Sequence, residues 1–134
     1  MPRETRWLIK TSLLYLLLTL GTGLALVLPA ARSFAPNLYP TYLHLFTVGW
    51  LTQLIFGVAF WLFPRFSRKR PYGHRALVWA GYGCLNAGLV LRAATEPFPM
   101  QGNLEQWLLA FAALLQWFGG LLFVVHIWPR VKTK

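Results

Sequence analysis

Four long apolar stretches separated by short connections constrain this chain more than any other feature of its sequence. They cover residues 7–28, 41–63, 74–94 and 104–128. A helix that crosses a bilayer needs roughly 20 mostly apolar residues, and each stretch satisfies that length. Short connections favour antiparallel packing of successive helices. The sequence therefore predicts one all-α domain, residues 1–134, that forms an integral membrane bundle of four antiparallel transmembrane helices.

The charge content excludes a water-soluble protein of this size. Only 12% of the residues are charged, whereas ordinary soluble domains have about 25%. The net charge of +10 does not indicate nucleic-acid binding, because the basic residues flank the apolar stretches and form no single soluble face. A single cysteine, Cys84, excludes an internal disulfide or a thiolate metal cluster within one subunit. No phosphate loop, Ser-His-Asp set or Cys-x-x-Cys motif is present.

The distribution of basic residues predicts the orientation of the bundle. One end, called here the basic end, carries both termini and the connection between the second and third stretches. Its cations are Arg3, Arg6, Lys10, Arg65, Arg68, Lys69, Arg70, Arg75, Arg130, Lys132 and Lys134. The opposite end, called here the neutral end, carries Arg32, Arg92, Glu96 and Glu105. The positive-inside rule predicts cytoplasmic termini, and we expect a multi-pass protein of a prokaryotic cytoplasmic membrane.

Ionisable residues inside a bilayer are functional candidates, because burying them in hydrocarbon is costly. His44 lies near the neutral end of the second stretch. A neutral imidazole there can bind haem iron or another metal. The alternative is an interfacial histidine bonded to water or a carbonyl. Arg92 is predicted at the same depth, four residues before Glu96. That spacing predicts either an exposed helix-end ion pair or an arginine that binds a carboxylate such as a haem propionate.

The remaining polar residues of the stretches have simpler interpretations. His74 and His126 lie near the basic end, either as two interfacial histidines in contact with headgroups or as a dihistidine site. Asn86 and Gln116 fall near the middle of their stretches and are expected to hydrogen-bond across helices. Gln53 follows His44 by nine residues, which is about half a turn out of phase in an ordinary α-helix. One pocket is therefore not expected to use both side chains.

Small residues recur at helical spacing in two stretches. Gly49 and Gly57 share one side of the second stretch, and Ala80, Cys84 and Gly88 repeat every four residues on the third. Such rows allow close approach of another helix or of a flat cofactor. Glu105 stands at the start of the fourth stretch, where an anion can cap a helix.

The second stretch resembles a known family. His44 is followed by Gly49-Trp50, by Gln53 and Gly57, and by the exit Pro64-Arg65. This segment, about residues 41–65, is similar to the second transmembrane helix of the catalytic subunit, subunit I, of haem-copper oxidases and nitric oxide reductases. A histidine near the outer end of that helix is an axial ligand of the low-spin haem. The four-stretch chain is similar to one four-helix arc of that subunit.

The resemblance implies a haem-b-binding membrane protein with His44 as an axial iron ligand. It further implies that Arg92 meets a propionate and that Gly49 and Gly57 make room for the ring. The sixth iron position would be open, filled by Met100, or filled by His44 of a second subunit. The copper-site histidines and the His-x-x-x-Tyr pair of the family are absent, so the chain is not expected to be an oxidase itself.

Several functions remain open at this point. A six-coordinate haem iron would suit electron transfer, whereas an open position would suit gas or haem sensing. The first rival is a cofactor-free membrane subunit that packs against a respiratory complex. The second is a quinol-binding membrane protein that uses His44 and aromatic residues. We expect a homo-oligomer, dimeric or trimeric, or membership of a larger membrane complex.

Overall fold

The computed structural model describes residues 1–66 and 72–131, and within them all regular structure is helical. Four helices are long and apolar enough to cross a membrane. They are span one, Arg3–Val27, span two, Leu38–Leu62, span three, Arg75–Thr95, and span four, whose α-helix is Leu104–Ile127. The all-α bundle of four antiparallel transmembrane helices is thus confirmed, and the chain is a multi-pass membrane protein.

Three details of the helices were not predicted from the sequence. A short helix, Pro29–Phe34, follows span one, because Pro29 ends the first helix and is well suited to begin another. Span two is interrupted by a π-helical segment, Leu45–Thr52, which lies between the α-helical segments Leu38–His44 and Gln53–Leu62. Span four ends in a single 3₁₀ turn, Trp128–Arg130. The basic residues predicted at 68–70, 132 and 134 lie outside the described residues.

Glycines bring spans three and four into close contact. A Cβ atom on Gly88 would lie 2.7 Å from the Ala112 carbonyl oxygen, and one on Gly119 would lie 2.9 Å from the Gly81 carbonyl oxygen. Only Gly88 belongs to the row of small residues predicted for span three. Cys84, from the same row, is only partly buried. The other close contact is made by Gly81, which does not belong to that row.

Two small apolar clusters hold the spans together. The cluster nearer the basic end contains Leu8, Phe60, Val78, Phe123 and Ile127, and the other contains Tyr15, Leu45 and Leu89. Large apolar side chains elsewhere are exposed, as shown by Leu17 at 67% and Trp117 at 63%. An apolar exterior of this kind requires lipid as its solvent.

Candidate ligand-binding site

A histidine and a carboxylate from different spans meet near the neutral end. Nδ1 of His44 lies 3.0 Å from Oε1 and 3.2 Å from Oε2 of Glu96. An ionised carboxylate only accepts hydrogen bonds, so Nδ1 must be the protonated nitrogen when the imidazole is neutral. Nε2 of His44 is then the nitrogen that carries a free lone pair. Imidazoles that bind metals usually have this arrangement, with the other ring nitrogen bonded to a carboxylate or carbonyl.

Glu96 is held firmly in turn. Its side chain is only 6% exposed, and its Oε1 accepts a hydrogen bond from an Nη1–H of Arg92 at 2.8 Å. Thr41 donates to Oε2 at 3.3 Å. The predicted Arg92–Glu96 pair is present, but the expectation of an exposed helix-end pair was wrong, because span two covers the carboxylate. We call His44, Glu96, Arg92 and Thr41 the neutral-end cluster.

Gln116 extends the cluster to span four. Arg92 Nε donates to Gln116 Oε1 at 3.2 Å, so the guanidinium joins spans three and four. The prediction that Gln116 bonds across helices is correct, although its partner is an arginine. Two of the nitrogens of Arg92 are occupied by protein groups, which fixes the cation beside Glu96 and balances the charge of the carboxylate.

The π-helical segment changes which residues of span two face span three. Gln53 and Asn86 exchange hydrogen bonds of 3.2 and 3.3 Å between their side-chain amides. His44 and Gln53 therefore both face span three, whereas an uninterrupted α-helix would place them half a turn apart. They bond to separate partners there, so the statement that one pocket does not use both side chains stays a prediction. Each residue of a π-helix turns the chain through a smaller angle than an α-helical residue, because its hydrogen bonds close a wider ring. Segments of this kind are common at functional sites.

Asn86 is the centre of a second polar group near the bilayer midplane. Tyr15 donates to Asn86 Oδ1 at 2.9 Å, and the Asn86 amide also donates to the Tyr82 carbonyl. Thr11 and the Tyr82 hydroxyl lie 2.7 Å apart. The cross-helix role predicted for Asn86 is confirmed, and these bonds join spans one, two and three.

The glycines of span two face span one. A Cβ atom on Gly49 would lie 2.7 Å from Cγ of Tyr15, and one on Gly57 would lie 3.1 Å from Cβ of Leu8. The space that the resemblance assigns to a haem ring is therefore occupied by side chains of the bundle. Helix packing accounts for both glycines.

Met100 and Glu105 are brought together in the connection before span four. The backbone N–H of Met100 donates to Glu105 Oε2 at 2.8 Å, and Glu105 lies in the first turn of the helix. The Met100 side chain is 39% exposed. Within residues 1–66 and 72–131 no hydrogen bond or ion pair joins Met100 to His44.

The histidines of the basic end differ from the predicted pair. His126 is buried, with its ring 5.4 Å from that of Phe60, whereas His74 is exposed. The expectation that both contact headgroups was therefore wrong for His126, because the aromatic cluster encloses it. Among the described residues no group of three or more His, Cys, Asp or Glu side chains is placed to hold a metal ion. A metal at either end would need ligands from a cofactor, from solvent or from another chain.

Comparison with known proteins gives no relative. No protein-family model matches the chain, and neither a curated protein nor a solved structure is significantly similar to it.

Proposed function

We propose that this protein binds haem b through Nε2 of His44. The observation that carries the proposal is the bond between His44 Nδ1 and the buried carboxylate of Glu96. It orients the ring and selects the tautomer whose Nε2 carries the free lone pair, and a carboxylate partner of this kind is typical of imidazoles that bind metals. Arg92 and Thr41 hold the carboxylate in place through their hydrogen bonds. When bound, haem would supply a one-electron redox centre or a site for a diatomic gas.

The exposure of His44 limits where a haem would lie. The side chain is 30% exposed, while span one fills the space over Gly49 and Gly57. A haem on Nε2 would therefore lie along the outside of span two, covered by lipid or by a second copy of the chain. The second axial ligand would come from that copy, or the position would stay open to a gas.

A cofactor-free membrane subunit is the second candidate function. It is favoured by the close packing over Gly49 and Gly57, which needs no cofactor to explain it. In that case the neutral-end cluster would serve only to join spans two, three and four. A quinol-binding role for His44 is the remaining alternative, and it predicts a quinone that co-purifies with a protein lacking a Soret band.

The test is the absorption spectrum of the detergent-purified protein, oxidised and dithionite-reduced, after incubation with haemin. We expect a Soret band in the wild type and its loss in His44→Ala. His74→Ala is the matched control, because His74 is an exposed histidine at the other end of the bundle and its loss should leave the band unchanged. A wild type that stays colourless would refute haem binding and favour the cofactor-free subunit.

A further inference from the structure

A lateral cavity lies at the neutral end of the bundle. It has a volume of about 740 Å³ and is bounded by spans one and three, by the short helix Pro29–Phe34 and by the start of span two. His44 does not line it. Of the four residues of the neutral-end cluster, Thr41 alone lines the cavity.

The lining of the cavity suits a hydrocarbon chain. Small residues leave the space open, and among them are Gly21, Ala25, Ala93 and Ala94. Leucines and other apolar side chains form most of the remaining surface. A cavity with such walls, set among lipid-facing residues, excludes water and favours an acyl chain.

An aromatic pair lies beside this cavity at the neutral end. The rings of Phe34 and Phe98 pack edge to face with centroids 5.4 Å apart, and both side chains line the cavity. Phe34 belongs to the short helix after span one, whereas Phe98 follows span three. The pair therefore links the two walls of the cavity.

A second pocket adjoins the first and contains a cation. It has a volume of about 520 Å³ and shares Ala25, Ala35 and Leu38 with the apolar cavity. Arg32 and Tyr39 also line it. Nε of Arg32 donates to the Leu26 carbonyl at 2.9 Å, which fixes the guanidinium at the end of span one. Within residues 1–66 and 72–131 its two terminal nitrogens make no hydrogen bond. A guanidinium held in this way matches a phosphate group.

We propose that these two pockets together bind one anionic phospholipid from the leaflet at the neutral end. The phosphate would pair with Arg32, and one acyl chain would occupy the apolar cavity. A phospholipid is favoured over a quinone because the only cation of the two linings lies at the membrane-surface end, where a headgroup phosphate would be. The proposal does not depend on haem binding.

Gly21 and Gly83 allow a matched test of the acyl-chain site. A Cβ atom added to either glycine meets no atom within 4 Å, and both residues are exposed, but only Gly21 lines the cavity. Gly21→Leu should therefore fill the cavity without straining the bundle, and Gly83→Leu should leave the cavity unchanged. Arg32→Gln removes the cation at an exposed position and should not disturb folding.

The experiment is native mass spectrometry of the full chain, with phosphatidylglycerol or phosphatidylcholine of the same acyl chains added to the delipidated protein. We expect the wild type and Gly83→Leu to retain one phosphatidylglycerol and Gly21→Leu to lose it. Arg32→Gln should lower the preference for phosphatidylglycerol by about fivefold, the effect of one cation near a surface. Unchanged retention by Gly21→Leu, an equal loss in Gly83→Leu, or an unchanged preference in Arg32→Gln would overturn the proposal. Retention of an isoprenoid quinone in place of phospholipid would also overturn it.

Discussion

The two ends of the bundle use the same residue types for different purposes. Each end places an arginine and a histidine among side chains of several spans. At the neutral end Arg92 bonds to side chains, and His44 keeps one ring nitrogen free on a partly exposed ring. At the basic end Arg130 is 1% exposed, and His126 is enclosed beside Phe60. The difference is one of access, since the imidazole packed among the spans is partly exposed at the neutral end and buried at the basic end.

The hydrogen bonds of Arg130 show that the basic end has a structural role. Its guanidinium donates to the carbonyl oxygens of Phe60, Phe63 and Pro64 at 3.0, 2.8 and 3.0 Å. These carbonyls lie at the end of span two, where helical backbone has no partners of its own. A cation there also opposes the negative end of the helix dipole. Arg130 therefore holds the end of span four against the end of span two through these hydrogen bonds.

We expect the largest effect on stability from removal of the Arg130 hydrogen bonds. Arg130→Met keeps much of the side-chain volume but leaves buried carbonyls without a donor, and we expect the free energy of unfolding to fall by about 3 kcal/mol. Equilibrium unfolding in mixed micelles measures this change in the free energy of unfolding. Arg6→Met, at an exposed position of the same end, should cost less than about 0.5 kcal/mol. Equal effects of the two substitutions would show that Arg130 contributes no specific contact.

The second prediction concerns the carboxylate of the neutral end and rests on the proposed haem site. Glu96→Gln should weaken haem binding by about 10- to 100-fold, because the imidazole loses its charged partner. The midpoint potential should rise, because an imidazole without a carboxylate partner donates less charge to ferric iron and stabilises it less. Haemin titration and a redox titration measure the two quantities. Glu105→Gln makes the same change of charge away from His44 and should alter neither. An unaltered potential in a Glu96→Gln protein that still binds haem would mean that Glu96 has only a structural role.

The third prediction tests whether the bundle packs tightly beside the candidate site. Gly49→Ala places a Cβ atom against Tyr15 and Leu89, and we expect a loss of about 1–3 kcal/mol of stability from overpacking. Gly120→Ala meets open space and should be neutral or stabilise slightly. Thermal unfolding of both variants provides the comparison. If Gly49→Ala caused no loss of stability, spans one and two would separate easily enough to admit a cofactor.

The smallest effect is expected at the midplane, between the two ends. Tyr15→Phe and Asn86→Leu remove the two partners of one interhelical hydrogen bond. A double-mutant cycle should give a coupling of about 0.6 kcal/mol, the usual size inside membranes. A coupling above about 2 kcal/mol would show that this midplane hydrogen bond is much stronger than is usual inside membranes.

The sequence predicted the bounds of the spans closely, because each span is determined by one continuous run of apolar residues. The predicted stretch 104–128 compares with the helix Leu104–Ile127, and 74–94 compares with Arg75–Thr95. Long apolar runs must form helices in a bilayer, since no water is present to satisfy their backbone. The sequence also singled out His44 and Arg92, because charged or ionisable groups are rare in such runs.

The tertiary structure decided how those residues are used. Glu96 was expected at an exposed helix end, and only the packing of span two over span three makes it the buried partner of His44. The π-helical segment, which turned Gln53 toward Asn86, has no simple signature in composition or periodicity. Membrane insertion depends on the hydropathy of each segment alone. The neutral-end cluster depends on which faces of different helices meet, and that is fixed only when the bundle packs.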